Sequence, residues 1–256
     1  MKILITGGNG YIGKSLYNAL KIQHDVIALS RKELDVTNLN QVKEFFKNKY
    51  FDIVIHCAVE GGLRLELESP SILDSNLKMY YNLLECKDHF NKFFYFGSGA
   101  EKQDTFYGLS KKVINESIQN KDNFYNIRIF AVFNENELES KFVKTNIRSY
   151  INKQNIKIFQ NKYMDFFYME DLITLVNYCI KTDNLPKEIN CTYNYSPTLY
   201  DVAQIINSLN NYKVNIDIEN WDMAPPFNGK FIDLGLNFIG LEQGIKNSYN
   251  ILKNEY

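Results

Sequence analysis

The chain has 256 residues, enough for one large core or for a larger unit with a small second lobe. Hydrophobic residues make up 45% and charged residues 23%, and the formal net charge is −1 with no Lys/Arg-rich block, so neither nucleic acid nor an anionic membrane is expected as a partner. No apolar run approaches the ~20 residues of a membrane span, and Lys2 followed by Ile3–Ile5 is too short for a secretory leader, so a cytoplasmic location is expected.

Strand and helix signals alternate from the start. Lys2–Thr6 is a short β-rich run that leads into Gly7-Gly8-Asn9-Gly10. Tyr11–Ile22 has helical spacing, with Ile12, Leu16, Ala19 and Leu20 on one face. Asp25–Leu29 is a second strand, Asn38–Lys49 a crossover helix and Asp52–His56 a third strand. The continuous apolar run of that third strand fits a strand covered on both faces. Pro70–Phe90 reads as a long helix, Lys92–Gly97 as a strand, Thr105–Gln119 as a helix and Phe124–Phe130 as a strand. Such alternation predicts an α/β fold with a parallel, doubly wound sheet of the Rossmann type. After Phe133 the pattern loosens. Glu137–Ile151, Met169–Ile180, Leu199–Leu209 and Glu242–Leu252 look helical, Ile156–Phe159 and Asp165–Tyr168 look like short strands, and Pro225-Pro226 with Gly229 marks a loop. Residues 1–155 are expected to form the dinucleotide-binding unit, with 165–185 returning to it, and 156–256 a small C-terminal α/β lobe for substrate.

The four cysteines, Cys57, Cys86, Cys179 and Cys191, form no C-x-x-C pair, and the histidines are His24, His56 and His89. No metal site is expected from this set, and free thiols of a reducing compartment are.

Gly7, Gly10 and Gly13 form G-x-x-G-x-x-G between the first strand and the first helix. Gly7 permits the turn, Gly10 lets a pyrophosphate approach the backbone, and Gly13 lets the helix pack on the strand. The helix N-terminus adds N–H donors and partial positive charge, so Asn9, Tyr11 and Ile12 are counted with the glycines as cofactor contacts. The end of the second strand reads Ala28-Leu29-Ser30-Arg31-Lys32, with no acid for a ribose diol. Ser30 and Arg31 suit a 2′-phosphate, so NADP(H) is preferred and NAD(H) stays open.

Tyr107-Gly108-Leu109-Ser110-Lys111 is Y-x-x-x-K at a helix start, which puts phenol and ammonium on one face. A phenol of pKa ~10 exchanges protons poorly at neutral pH, and Lys111 is expected to lower it. Ser98, in Phe96-Gly97-Ser98-Gly99, stands nine residues upstream at a strand's carboxyl end, where doubly wound sheets place ligands.

With these motifs the chain resembles the extended short-chain dehydrogenase/reductase family, in its branch of NAD(P)-dependent nucleotide-sugar epimerases, dehydratases and reductases. The likeness runs almost end to end. Leu34-Asp35-Val36-Thr37 resembles the segment whose aspartate contacts adenine. Val54-Ile55-His56-Cys57-Ala58 resembles the strand beneath the nicotinamide ribose, which brings Cys57 and Ala58 to the cofactor, and Asn76 matches the helix asparagine near the active site. Ile127-Arg128-Ile129-Phe130 resembles the strand leading to the substrate lobe, and Asp165-Phe166-Phe167-Tyr168-Met169-Glu170-Asp171-Leu172 resembles the family's DF-x-hydrophobic-x-x-D segment. Lys230, Asp233 and Gly240 to Gly244 resemble the closing segment. The resemblance implies Ser98, Tyr107 and Lys111 as the catalytic set, Lys111 also on the nicotinamide ribose, and Lys230 on the diphosphate of a nucleotide-sugar substrate, where an arginine is usual.

The departures narrow the chemistry. Family dehydratases carry an Asp-Glu pair after the catalytic hydroxyl residue; Gly99 and Ala100 stand there. A branch that epimerises sugar carbons 3 and 5 needs a cysteine two residues after the serine and a later histidine; this chain has Ala100 and no histidine beyond His89. Lys102 replaces a usual tyrosine, and the segment from Ser98 to Tyr107 is short. What remains is hydride and proton transfer. The expectation is an NADPH-dependent reductase of a nucleotide-linked 4-keto sugar, in bacterial-type synthesis of surface-polysaccharide sugars. An NAD-dependent nucleotide-sugar 4-epimerase and a non-catalytic dinucleotide-binding protein are the alternatives. A homodimer stays open. His56 reads as a satisfied core group, and Trp221 either stacks on a base or sugar or packs within its lobe.

Overall fold

The structure is a computed structural model that describes residues 1–62 and 68–255. In chain order its elements are β1 (Lys2–Thr6), α1 (Tyr11–Leu20), β2 (Asp25–Leu29), α2 (Leu39–Phe46), β3 (Phe51–His56), α3 (Pro70–Leu84), β4 (Phe90–Ser98), α4 (Phe106–Gln119) and β5 (Phe124–Ile129). They continue with β6 (Val132–Phe133), α5 (Phe142–Ile151), β7 (Ile156–Gln160), β8 (Phe167–Tyr168), α6 (Met169–Lys181), β9 (Glu188–Asn190), α7 (Leu199–Asn207), β10 (Ile216–Asn220) and α8 (Leu241–Lys253).

The chain divides into two compact units. The first comprises Met1–Arg128 and Val176–Ile189, the second Ile129–Leu175 and Asn190–Tyr256. The sheet of the first runs β2-β1-β3-β4-β5-β9. β1 pairs in parallel with β2 on one side and β3 on the other, so the chain winds outward from β1 to β2 and then back past β1 to β3. That reversal opens a crevice at the carboxyl ends of β1 and β3, the usual ligand position in doubly wound sheets. Ile3–Ile5 and Ile53–Ile55 are fully buried, as strands covered on both faces must be. One face is filled by Val42 and Phe46 from α2, Tyr80 and Leu83 from α3 and Ile114 and Ile118 from α4, with Phe93 stacked on Phe124 at 4.8 Å between centroids.

The first unit closes at Arg128, earlier than the expected boundary at 155, because β6 pairs with β8 and not with the large sheet. The return runs over Val176–Ile189 and adds β9 at the sheet edge, a three-residue strand too short to show a periodic pattern. The helix expected over Pro70–Phe90 ends at Leu84. A 3-10 turn over Lys87–His89 follows, and Phe90 starts β4 opposite Phe51, where its ring is buried. Likewise α5 begins at Phe142, and Glu137 ahead of it takes the Lys144 N–H at 3.0 Å, a cap on the helix start.

In the second unit β7 pairs in parallel with β10, a strand whose alternating half-exposed residues carried too little apolar signal to be expected. Asp171, buried in α6, accepts the Tyr193 hydroxyl at 2.5 Å and the N–H groups of Ile239 and Gly240, so it fixes the entry to α8. Trp221, just past β10, is 77% exposed and does not pack within its unit. Among the described residues no helix is long and apolar enough to cross a membrane.

Candidate active site

The turn after β1 has the form a pyrophosphate needs. Gly7 sits at φ +68°, and a Cβ there would come within 2.6 Å of the Ala58 nitrogen. The Gly8 N–H donates to the Leu29 carbonyl and the Gly10 N–H to the Gly7 carbonyl, each at 2.9 Å. A Cβ on Gly13 would drive into that same carbonyl, so α1 can pack this close only with glycine there. Gly10 is the N-cap of α1, and no side-chain oxygen caps that helix, whereas Asn38, Thr105 and Thr198 cap α2, α4 and α7. Asn9 and Gly10 are exposed beside it, with Tyr11 and Ile12 in its first turn. An uncapped helix start behind a bare glycine backbone fits the diphosphate of a dinucleotide.

At the end of β2 the geometry corrects the reading that no acid stands there. The Glu33 carboxylate folds back onto Ser30 and accepts both its N–H and its hydroxyl at 2.8 Å. These bonds hold the Glu33 carboxyl below the usual range. Ser30 therefore meets an anion supplied by its own chain. Arg31 is 71% exposed and reaches Asp35 only at 3.8 Å. The other Asp35 oxygen accepts the Thr37 N–H and hydroxyl, at 3.0 and 2.7 Å. Val36 is buried, and its carbonyl takes the Asn82 amide at 2.9 Å, so only its backbone can face a ligand.

Below β3, Thr6 and His56 share a hydrogen bond of 2.7 Å, and burial holds the imidazole at about 3, neutral at any working pH. It is the satisfied core group expected. Cys57 is half-exposed by surface area, yet burial pushes its thiol up, so it is an inert wall beside Ala58 and the Gly7 turn.

Asn76, expected at the cofactor, is spent elsewhere. Its Oδ1 accepts the Glu60 N–H at 2.9 Å, and its Nδ2 donates to the Glu60 carbonyl at 3.0 Å and to the Ser110 hydroxyl at 3.1 Å. Ser110 in turn donates to the Tyr107 carbonyl at 2.7 Å. Asn76 is thus a bracket between the loop after β3 and the first turn of α4, and its side chain has no donor left for a dinucleotide.

Ser98, Tyr107 and Lys111 come together at the carboxyl end of β4. Ser98 is the N-cap of a 3-10 turn over Gly99–Lys102, and its hydroxyl accepts the Ala100 N–H at 3.1 Å. The Tyr107 phenol lies near enough to that hydroxyl for Ser98 to favour its ionised form. Thr105 caps α4 through the Gly108 N–H at 3.0 Å, and Glu68 accepts the Tyr107 N–H at 3.0 Å, so the helix start is held from two sides. Gly62, at φ +84°, lies against the phenol: a Cβ there would sit 2.8 Å from the ring carbon that bears the hydroxyl. Lys111 is buried, donates to the Phe96 carbonyl at 2.7 Å, and lies 4.5 Å from the Tyr95 ring centroid and 5.4 Å from that of Tyr107.

The electrostatics depart from the expectation for the phenol. Burial pushes Tyr107 up to about 12; Ser98 opposes this, and Glu101 and Glu68 add to it. Burial also lowers Lys111 to about 7, against the pull of Glu101 and Cys57. A lysine at about 7 carries only part of its charge at neutral pH, which is why it does not depress the phenol as a full cation would.

The sequence reading missed what lies under this set. Glu101 accepts the Ser98 N–H at 3.3 Å and pairs with Arg128 at 2.6 Å. Its signal was present as Ser98-Gly99-Ala100-Glu101, the S-x-x-E of a capping box. In the second unit, Lys230 is exposed, and its flanks are clamped: Asn190 donates to the Lys230 carbonyl at 2.9 Å, and Asp165 accepts the Gly229 N–H at 2.8 Å and the Ser196 hydroxyl at 2.5 Å.

Comparison with known proteins bears on the family and the fold. A model of the NAD dependent epimerase/dehydratase family matches residues 3–192. CDP-abequose synthase of Yersinia pseudotuberculosis is 24% identical over 242 residues, covering 84% of this chain and 86% of the relative. GDP-L-colitose synthase of the same organism is 24% identical over 309 residues, covering 100% and 99%. Among solved structures, the GDP-mannoheptose C4 reductase of Campylobacter jejuni with NADP bound superposes with a TM-score of 0.80 at 18% identity, over 98% of both chains. The UDP-glucuronic acid 4-epimerase of Bacillus cereus, in complex with NAD, gives 0.80 at 17% identity over 100% of both. At these identities the structural likeness speaks for the fold.

Proposed function

The chain belongs to the NAD dependent epimerase/dehydratase family, and from that premise we propose that it is an NADPH-dependent reductase of a nucleotide-linked 4-keto sugar. The observation that carries the reading is the Ser98–Tyr107–Lys111 set gathered at the sheet's carboxyl edge, with Gly99 and Ala100 where a dehydratase needs two carboxylates. A bound nicotinamide supplies the hydride. Ser98 holds the ketone oxygen, Tyr107 donates its proton to that oxygen as it becomes an alcohol, and Lys111 holds the nicotinamide ribose and replenishes the proton. Lys230 holds the substrate's diphosphate. Relatives named as synthases of CDP- and GDP-linked sugars, and structural neighbours named as a GDP-heptose C4 reductase and a UDP-sugar 4-epimerase, support a nucleotide sugar as the substrate class. Surface-polysaccharide sugar synthesis fits the relative named spore coat polysaccharide biosynthesis protein SpsK of Bacillus subtilis.

Glu33 favours a second reading. An acid on Ser30 suits the ribose diol of NAD, and the same three catalytic residues serve a 4-epimerase that oxidises and re-reduces one carbon with tightly held NAD. Titration with NADPH and NADH separates the two. The reductase reading expects tighter NADPH binding, weakened ~10-fold or more in Arg31→Ala with NADH unchanged. Wild-type preference for NADH, with retained NAD and 4-epimer formation, establishes the epimerase instead. For the chemistry, Tyr107→Phe should lower kcat ~10²–10⁴-fold and leave dinucleotide affinity within about threefold. A Phe variant at the wild-type rate removes Tyr107 from the reaction.

A further inference from the structure

Beneath the end of β4 lies an ionic cluster that the reaction as proposed does not use. The Glu101 side chain is 7% exposed, and its two oxygens meet four donors: Ser98 N–H at 3.3 Å, Arg128 Nη2 at 2.6 Å, Asn115 Nδ2 at 3.2 Å and Asn126 Nδ2 at 3.4 Å. Arg128 is forked onward to Glu188, and Asn115 also donates to Glu188 at 3.1 Å. Gly97 makes room for this: a Cβ there would run into Asn126 and Glu101. A neutral glutamine could have capped the short turn. Burying a carboxylate instead carries a desolvation cost that an N-cap alone does not require.

We propose that Glu101 is a positioning residue: anchored by Arg128, its carboxylate fixes the Ser98 backbone so that the Ser98 hydroxyl meets the Tyr107 phenol, and its charge acts on the Tyr107–Lys111 couple. The role rests on the reading of Ser98, Tyr107 and Lys111 as the reacting set. Glu101 contributes to the ionisation of both partners, favouring the protonated phenol and the protonated amine. The other groups that face the couple are Glu68 ahead of α3, His56 and Cys57 at the end of β3, and Tyr95 on β4. Glu101 alone among them is also bonded to the Ser98 backbone, so it links geometry to charge at one point.

The test compares Glu101→Gln, Glu101→Ala and Arg128→Lys, with Tyr107→Phe alongside. Glu101→Gln keeps the side chain's length and removes its charge. Its kcat on a 4-keto or 4-hydroxy nucleotide sugar should fall about 10- to 100-fold with dinucleotide Kd within about threefold. Its pH profile should move to lower pH, since phenol and amine both lose their protons more readily without the carboxylate. Arg128→Lys, which keeps the cation and loses the fork, should fall between Glu101→Gln and wild type. A readout without substrate is amide hydrogen exchange: Glu101→Ala should speed exchange at Ser98 at least ~10-fold and leave β1 and β3 unchanged. An unmoved pH profile in Glu101→Gln, or unchanged exchange at Ser98, overturns the role while a disabled Tyr107→Phe keeps the catalytic reading. A Tyr107→Phe enzyme at the wild-type rate removes that reading and the role of Glu101 with it.

Discussion

Lys111 gives the fold a pH dependence that can be measured without knowing the substrate. Its amine is held at about 7, well below the ordinary lysine value of 10.5, because burial in the α4–β4 interface disfavours the ammonium. Between these two values the unfolded chain holds a proton that the folded chain has released. The unfolded state therefore binds more protons, and stability must rise with pH across the window. At about 1.4 kcal/mol per pH unit the full interval corresponds to roughly 5 kcal/mol. The Phe96 carbonyl and the Tyr95 and Tyr107 ring faces favour the ammonium, and burial outweighs them. The perturbation is Lys111→Met, which keeps most of the packing volume and cannot ionise. The assay is urea unfolding of both proteins at pH 7, 8 and 9, below the range in which tyrosines titrate. Wild-type stability minus that of the variant should climb by about 1 kcal/mol per pH unit. Parallel curves for the two proteins would show that the Lys111 amine stays charged in the fold, and the account of its burial would be refuted.

Gly62→Ala should disable the site from a distance of one van der Waals contact. The new methyl would stand 2.8 Å from the Tyr107 ring, so the phenol must shift by roughly 0.6–1 Å; a kcat about 10–100-fold lower at unchanged dinucleotide Kd is the expected result, and a normal kcat refutes the contact. The left-handed φ of Gly62 adds about 1–2 kcal/mol of strain, readable as a lower Tm. Asp165→Ala should leave the Gly229 N–H and the Ser196 hydroxyl without their acceptor, costing about 2–3 kcal/mol, and by loosening the backbone beside Lys230 it should raise KM for the nucleotide sugar more than it lowers kcat. A Lys230→Ala variant with unchanged KM would detach that segment from the substrate.

The parts of this protein legible in its sequence are those that obey short-range rules. The glycine triplet, the strand–helix alternation through Phe124 and the Tyr107/Lys111 spacing each follow from periodicity or from a backbone position that tolerates only glycine, and each stands in the fold as read. The misreadings have two causes. Glu33 returns to Ser30 through a local S-x-x-E spacing that was passed over, whereas Asn76 reaches a loop sixteen residues upstream by a bond that no local pattern announces. Glu101 lies between these cases. Its capping-box spacing was visible beside Ser98, but its partners Arg128 and Glu188 arrive from β5 and β9, through long-range pairing that no window of sequence contains.

The carboxylates around the dinucleotide unit show why residue type alone could not settle the cofactor. Ser30 and Arg31 together would cradle a 2′-phosphate, and in sequence they stand unopposed. In the fold the Ser30 N–H and hydroxyl are already donating to Glu33, and Arg31 leans toward Asp35. A phosphate must displace one carboxylate from Ser30 and draw the guanidinium off another. A ribose diol needs neither move, because its hydroxyls can donate to Glu33 where it stands. The exchange for phosphate is small in energy, since both acids are largely solvated and a bidentate Arg–phosphate contact outweighs a 3.8 Å ion pair. If the adenosine ribose of the dinucleotide lies here, selectivity is a competition between an external phosphate and an internal carboxylate for the same two donors on Ser30. It would then be decided by how firmly the turn from Ser30 to Leu34 holds Glu33 in place, a turn closed by the Glu33 and Leu34 N–H groups on the Ser30 carbonyl at 3.1 and 3.0 Å.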